Sequence, residues 1–459
     1  MLDPIVMYDR FALRREGSVA DVRHQLLRKE LILSESKFLR LTAVALFYFT
    51  QGIPQGLFYF ALPAWLAATG ASAAAIASVV AAAALPHTLK FATGFILDRY
   101  TYLPMGRRRA WIIGAQLALT GTFVIGAIIS PDSGNIAILS AVAFASSLSY
   151  SFQDVGIDSL AIDLMEDDER AKAAGLMFGS ATVGISLMTW SGGLLLESFG
   201  SAAAFAVAAF GTSVALVFGI TVRERPGEKR VPWSAGSAHP RNEAIQVEAW
   251  WPLLRDAFRV LLAPVSLVFV VILVARGIPA GLTETLHPLI AIRDAGWQMS
   301  SFTNLVSIAQ LTAAFAALFV FGWIVDLISP QRALIAGAIL YIILFAGITI
   351  ARPLWGNSAL LIVYILSYDL VTLFFTVALI ALAMRICTPA VAAAQFSVYM
   401  AAGNMGRPIG AALMGSIGEE NAIKGFMILA ALFLLALIIA LVRRFPNNRS
   451  EQNLGSEEK

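Results

Sequence analysis

The chain is poor in charge and almost free of cysteine. Asp, Glu, Lys and Arg supply 14% of its 459 residues, against about 25% in a soluble globular domain. So little charge cannot cover a soluble surface of this size. With 58% hydrophobic residues, disorder and a coiled coil are excluded as well. The single cysteine, Cys387, excludes disulfide staples and cysteine metal clusters. The four histidines, at 24, 87, 239 and 287, are too scattered for a histidine metal site. None of the seven lysines lies in a Gly-Lys-Ser/Thr phosphate loop, which argues against an ATP-driven pump. Neither His-Glu-x-x-His nor Gly-x-Ser-x-Gly occurs, which argues against an intramembrane hydrolase. No metal or cofactor is expected. The net charge of +3 is small and gathered in loops and tails, so it speaks for membrane topology and not for a nucleic-acid partner.

What the chain does have is long apolar runs. A helical membrane span needs roughly 20 mostly apolar residues. Twelve such runs are predicted, at 41–69, 73–97, 111–130, 135–164, 171–196, 203–222, 262–288, 302–328, 332–351, 358–386, 391–418 and 422–442. Residues 1–40 are charged throughout and are not a signal peptide. Residues 223–261 read as a linker: first a polar stretch, then an amphipathic segment in which Trp250, Trp251, Leu253, Leu254 and Phe258 interleave with Arg255, Asp256 and Arg259. A polar tail begins at 443. With both termini in the cytoplasm, 27 of the 33 Lys and Arg fall on the cytoplasmic side and three outside (Arg293, Arg352 and Lys424). That asymmetry is the positive-inside rule at work.

The two sets of six runs resemble each other. Gly52-Ile53-Pro54-Gln55-Gly56-Leu57 recurs 225 residues later as Gly277-Ile278-Pro279-Ala280-Gly281-Leu282, and Pro63 matches Pro288 at the same offset. Gly94-x-x-x-Asp98 returns as Gly322-x-x-x-Asp326, and Ser149-Tyr150 as Ser367-Tyr368. The predicted fold is therefore all-α and polytopic, with 12 transmembrane helices in two six-helix bundles, 41–222 and 262–442.

Polar side chains within these runs need a reason, because a charge at the bilayer centre costs about 2.5–3.5 kcal/mol on insertion scales. His87 and Lys90 are three apart on span 2. Gln153, Asp154 and Asp158 lie on span 4, the two aspartates four apart on one face. Depths counted at 1.5 Å per residue put Lys90, Asp154 and Asp158 at a shared level in the cytoplasmic half. Arg276 and Glu284 on span 7, Asp369 on span 10, and Asn404 and Arg407 on span 11 supply the second set. Cations of this kind can hold an anionic solute while carboxylates take and release protons. The competing reading is a set of ion pairs that lock helix packing. Asp163 lies close to water, and the glycines at 175, 179, 184, 403, 406 and 410 read as packing positions. After span 2, Asp98, Arg99, Arg107, Arg108 and Arg109 form a candidate gating network, with Glu169 and Arg170 as further members and Asp326 as the second-half counterpart of Asp98.

Gly94-x-x-x-Asp98-Arg99 with a downstream Gly-Arg-Arg-Arg resembles the signature loop of the major facilitator superfamily. Three longer patterns are more particular: Leu85-Pro-His-Thr-Leu-Lys90-Phe, Gly106-Arg-Arg-Arg-Ala-Trp111, and Gln153-Asp154-x-x-Ile157-Asp158 before Asp168-Glu-Arg-Ala171. Together with Ala394-Gln395-Phe396-Ser397 they resemble the AmpG-like permeases of the peptide–acetyl-CoA–drug transporter group, from about residue 41 to 440. Span 7 departs from those permeases, reading Arg276-Gly-Ile-Pro279 where they carry a Lys-Leu-Gly-Asp-like run. The resemblance implies proton-driven import of a small-molecule substrate across a bacterial inner membrane. A monomer is expected. Lys90, Asp154 and Asp158 are the carried-over residues. Anhydro-muropeptides, siderophores and acyl-CoA are the cargo classes it suggests. A non-transporting assembly or pigment-delivery factor is the rival from another class.

Overall fold

A computed structural model of the chain describes residues 31–165, 167–244, 255, 262, 264–386 and 392–442. The amphipathic segment expected around Trp250 and Phe258, most of the N-terminal tail and the tail from 443 lie outside the described residues. So do the side chains of Ala394-Gln395-Phe396-Ser397.

Among the described residues the regular structure is helical, relieved by one isolated parallel bridge between Ile32 and Arg223. Apolar surroundings leave backbone N–H and C=O groups no partner but one another, and a helix satisfies them within one segment. Helix α1 (Lys37–Gly56) runs through a π-helical turn (Leu57–Ala61) into α2 (Leu62–Ala68). Next come α3 (Ala73–Thr88), α4 (Lys90–Arg99), α5 (Arg109–Ile129) and α6 (Ile136–Leu164). Helix α7 (Asp167–Thr221) breaks at Gly200, whose φ of 75° suits glycine. A short α8 (Pro240–Ala244) precedes α9 (Pro264–Pro288), which ends in a second π-helical turn (Leu289–Asp294). Then follow α10 (Met299–Ala316), a third π-helical turn (Ala317–Phe321), α11 (Gly322–Ile328) and α12 (Pro330–Ile350). The series closes with α13 (Ser358–Ile386), α14 (Ala392–Ile417) and α15 (Ala422–Val442). Eight of the described segments are long and apolar enough to cross a membrane. Large apolar side chains such as Ile128, Phe210, Phe319 and Ile350 point outward from them, as a lipid-facing belt requires.

The sequence repeat returns as a packing repeat. Helix α1 lies along α7, and α9 lies along α14. A Cβ on Gly56 would come within 2.9 Å of Met188 Cβ, and one on Gly52 would strike the backbone of Ile185 and Gly184. The equivalent glycines behave alike. A Cβ on Gly277 would meet Gly406 Cα at 2.8 Å, and one on Gly281 would meet the Ala411 nitrogen at 2.8 Å. Gly184, Gly406 and Gly410 answer from the partner helices, whereas Gly175 and Gly179 face open space and hold no close approach. Small residues thus let pairs of helices touch backbone to backbone. The break between α3 and α4 also has an echo. It falls at Leu89, just after Pro86, which has no N–H to donate. The π-helical turn at Ala317 lies 228 residues on, the offset that separates Gly94 from Gly322.

The chain before α1 corrects one sequence expectation. Residues 37–40 are helical and Arg40 is buried, so α1 reaches back into the stretch expected to be tail. Residues 32–34 are docked as well: Leu33 N–H donates to Arg223 O at 2.8 Å, and Ser34 N–H to Glu224 O at 3.0 Å.

Overpacking a filled helix contact costs about 1–3 kcal/mol. Gly281→Leu is therefore expected to lower the thermal stability of the purified protein in detergent by that order. Gly175→Leu, placed in open space, serves as the control. Equal melting of the two variants would contradict the backbone-contact reading.

Candidate functional site

The break at Leu89 makes Lys90 the first residue of α4 and points it at α6. Its Nζ lies 2.5 Å from Asp154 Oδ2 and 3.4 Å from Asp158 Oδ2. Tyr48 on α1 donates its hydroxyl to the other oxygen of Asp158. One ammonium therefore faces two carboxylates, and three helices contribute. Asp158 is 38% exposed while Asp154 is 14%, so the cluster has a wet side. Tyr48 was missed in the sequence, where its only signal is a phenol inside an apolar run.

His87 and Gln153, expected in the same group, do something else. Gln153 is buried and donates to Phe47 O at 3.2 Å and Thr50 Oγ1 at 3.4 Å, which fastens α6 to α1. His87 is packed with its ring 4.2 Å from that of Tyr150, and its Nε2 has no hydrogen-bond partner among the described residues. Asn404 reaches its carbonyl oxygen at 3.5 Å. In this structure both side chains make helix-to-helix contacts.

A second cluster forms where α9, α13 and α14 meet. Arg407 lies 3.2 Å from Glu284 Oε1 and stacks over Tyr59, its guanidinium carbon 4.0 Å from the ring centre. Glu284 is 4% exposed, and its Oε2 finds no donor among the described residues. Both residues line a cavity of about 90 Å³ shared with Asp369, Thr283, His287 and Tyr368. Thr283 Oγ1 donates to the Tyr368 hydroxyl at 2.8 Å, and His287 Nε2 meets the Tyr364 hydroxyl at 3.0 Å. Arg276 is turned aside from this cavity and donates to Thr376 Oγ1 at 3.1 Å. Pockets for drug-sized ligands hold roughly 300–1,000 Å³, so a solute of disaccharide size enters only after the helices move.

The loop arginines are engaged differently from the gating expectation. Glu224 is fully buried below the N-terminus of α5 and accepts three backbone N–H bonds, from Arg107 at 2.8 Å, Arg108 at 2.7 Å and Arg109 at 2.5 Å. An anion there is held by the unpaired amides and the helix dipole. Gly106, at φ 103°, lies so close that an added Cβ would be 2.5 Å from the Glu224 carboxyl carbon. Arg109 is buried and donates to the carbonyls of Gly219 at 3.0 Å, Ile220 at 3.0 Å and Lys229 at 2.7 Å. Arg107 pairs with Asp163 at 3.2 Å. Arg40 forks onto Glu169, at 2.9 and 2.7 Å. Arg99 and Asp326 are exposed, with Arg99 6.0 Å from the Tyr100 ring. The side chains of Asp98 and Arg170 lie outside the described residues. The Arg109 side chain and the backbone amides of Arg107, Arg108 and Arg109 thus anchor the segment after α7 to the start of α5, and the Arg107 side chain ties that start to α6. Glu224, two residues past a predicted span end, was missed because a linker was expected there.

Glu228 continues this anchor. Its carboxylate accepts from Arg225 N–H at 3.0 Å and Asn242 Nδ2 at 2.7 Å. Burial, and then the neighbouring charge of Glu224, push its pKa up to about 7. Burial likewise raises Glu224, against the pull of the three α5 amides.

Comparison with known proteins follows the same lines. The sequence profile of the Major Facilitator Superfamily matches residues 44–411, with a second match over 278–459. A folate-biopterin transporter of Synechocystis sp. is 29% identical over 187 residues, covering 40% of this chain and 37% of that protein. The anhydromuropeptide permease of Escherichia coli is 27% identical over 150 residues, covering 32% of this chain and 29% of that protein. These alignments span about a third of the length of the curated relatives (37% and 29%). Among solved structures, the nucleoside transporter NupG gives a TM-score of 0.66 at 15% identity, covering 88% of this chain and 98% of that one. A D-xylose–proton symporter gives 0.68 at 13% identity, covering 90% and 98%. At such identities the likeness is one of fold.

A carboxyl whose pKa is raised in the folded state holds the fold best when protonated. The anchor's stability is thus full below the ordinary glutamate pKa near 4.3 and is lost as pH rises through about 7. Hydrogen-exchange protection of residues 225–242, corrected for intrinsic rates, should fall across that window. The fall should be smaller in Glu228→Gln, where only Glu224 still titrates in the anchor. A wild-type profile flat over the same window would refute this reading.

Proposed function

The chain belongs to the Major Facilitator Superfamily, a superfamily of transporters and not of enzymes, and from that premise we propose that it is a secondary active transporter that imports an anionic amphiphilic solute together with protons. It is a multi-pass membrane protein. The reading includes twelve spans in two six-helix bundles, 41–222 and 262–442, joined by the linker 223–261, with tails at 1–40 and from 443. It places the protein in a bacterial inner membrane as a monomer, and it puts both termini in the cytoplasm on the strength of the 27-to-3 split of Lys and Arg. Its partners are the solute, protons and the bilayer.

One observation carries the proposal: Lys90 is held by Asp154 and Asp158 at the meeting point of three helices. With both carboxylates ionised, Lys90 is fully matched and an anionic solute has no cation to bind. A proton taken up by either aspartate loosens that hold and leaves Lys90 free to accept a carboxylate or phosphate of the cargo. Proton and anion then bind together, and each makes the other's binding more favourable. Arg407, held by Glu284 beside Asp369, repeats the arrangement at a second level. Arg276 stands behind it on α9. Rocking of the two bundles around these clusters would expose them first to one side and then to the other.

For the cargo we propose an anhydro-muropeptide, which carries several carboxylates on an amphiphilic body. The similarity to the anhydromuropeptide permease over the segment that aligns supports this choice. A siderophore or acyl-CoA would use the same cations.

Labelled anhydro-muropeptide should accumulate in vesicles containing the protein when the outside is acid, and stop when the pH gradient is collapsed. Asp154→Asn should cut that accumulation by about tenfold or more. Folded protein that takes up no muropeptide under a gradient would exclude this cargo. Gradient-driven uptake untouched in Asp154→Asn would exclude the coupling role.

A further inference from the structure

The end of the molecule that faces outward in the orientation proposed above holds a second polar pocket, separate from both charge clusters. Arg293, in the π-helical turn after α9, lies at its edge. Its Nε donates to Ala67 O at 3.0 Å, and Nη2 donates to Ala71 O. These carbonyls belong to the last turn of α2 and the turn beyond it. Nη1 pairs with Glu419, in the turn between α14 and α15. One guanidinium therefore fastens three outer turns, from residues 67–71, 289–294 and 419–421.

The pocket is a cavity of about 550 Å³. Arg293 and Arg352 supply its cations, and Asp294, Glu419 and Glu420 its carboxylates. Ile290 and Trp355 give it apolar wall. Arg352 is exposed and has no ion pair within 4 Å among the described residues. Both signs of charge beside an apolar surface suit a solute carrying an ammonium and a carboxylate on a compact body. A purely anionic solute would meet three carboxylates against two guanidiniums.

We propose that this outer pocket is a receptor site for a zwitterionic, peptide-like solute, whose carboxylate takes Arg293 from Glu419 and so loosens the contact with Ala67 and Ala71. The proposal rests on the transporter reading and its orientation, and the solute it concerns differs in charge from the anion that the buried cations would hold. A guanidinium offers five N–H donors in a fixed fork, so re-aiming one edge toward a new carboxylate moves the other edge as well. The bonds it would leave end on neutral carbonyls, whereas the solute's carboxylate, like that of Glu419, offers the guanidinium a full negative charge. The solute's ammonium meets the released Glu419 together with Glu420. Arrival of a solute outside is thereby linked to opening of the outer end.

The test uses the full chain in lipid nanodiscs, with Cys387→Ala removing the native thiol and spin labels placed at Thr69→Cys and Leu354→Cys. Electron–electron resonance then reads the distance between the outer turns with no gradient imposed. Trialanine, the probe, should shift part of the population to longer distance in a saturable way. Its uncharged analogue, N-acetyl-trialanine amide, should not. Arg293→Ala should give the long distance without peptide, and Glu419→Gln, which removes the competing carboxylate, should lower the trialanine concentration needed for the shift. The proposal is overturned if trialanine leaves the distribution unchanged, if the uncharged analogue acts as well as trialanine, or if either variant behaves as wild type. Because no uptake is measured, failure here leaves the gradient-driven uptake experiment intact, and failure there leaves these distances unaffected.

Discussion

Charge placed among apolar helices has to be matched by charge or by a hydrogen bond, and that requirement organises the middle of this protein. Lys90 is matched by two aspartates, Arg407 by Glu284 and the face of Tyr59, and Arg276 by the hydroxyl of Thr376. In each case the partners come from different helices, so neutralising the charge also fixes how those helices sit. The same contacts are the ones a proton or an anion can exchange. In the proposed mechanism, packing and ligand exchange are two uses of one set of bonds. The choice between structural pairs and working groups, open at the level of sequence, need not be exclusive here.

The helices can come close enough for such contacts because their backbones touch. Gly52 and Gly56 bring α1 onto α7, and Gly277 and Gly281 bring α9 onto α14. A repeat seen as a run of letters is thus a repeat of interfaces. The glycines are where they are because any side chain would hold the pair apart. The break at Leu89 belongs to the same economy of space: it separates α3 from α4 and starts α4 at the lysine that pairs with α6.

A different constraint governs the end that carries residues 31–35 and 223–244. The start of α5 exposes amides that need an acceptor, and Glu224 supplies it from beyond the end of α7. Arg109 returns the contact by donating to carbonyls on both sides of that helix end. The segment is consequently a folded anchor over at least residues 223–242.

Much of this was legible in the sequence, for physical reasons. Long apolar runs have one stable form in hydrocarbon, so an all-helical, multi-pass membrane protein followed from those runs. A four-residue spacing puts Asp154 and Asp158 on one helix face whatever the rest of the chain does, and counting depth along two helices brought Lys90 to their level. Glycine spacing marked the close contacts at 184, 406 and 410, although Gly175 and Gly179 turned out to face open space. What sequence could not determine was rotation and distance between elements. The side to which Gln153, His87 and the loop arginines turn depends on helix rotation, and the carboxylate of Glu224 reaches α5 only because the chain doubles back across more than a hundred residues. Spacing fixes neighbours within one helix, where geometry is local. Partners across helices are decided by how the whole set packs, and that information exists only in the tertiary structure.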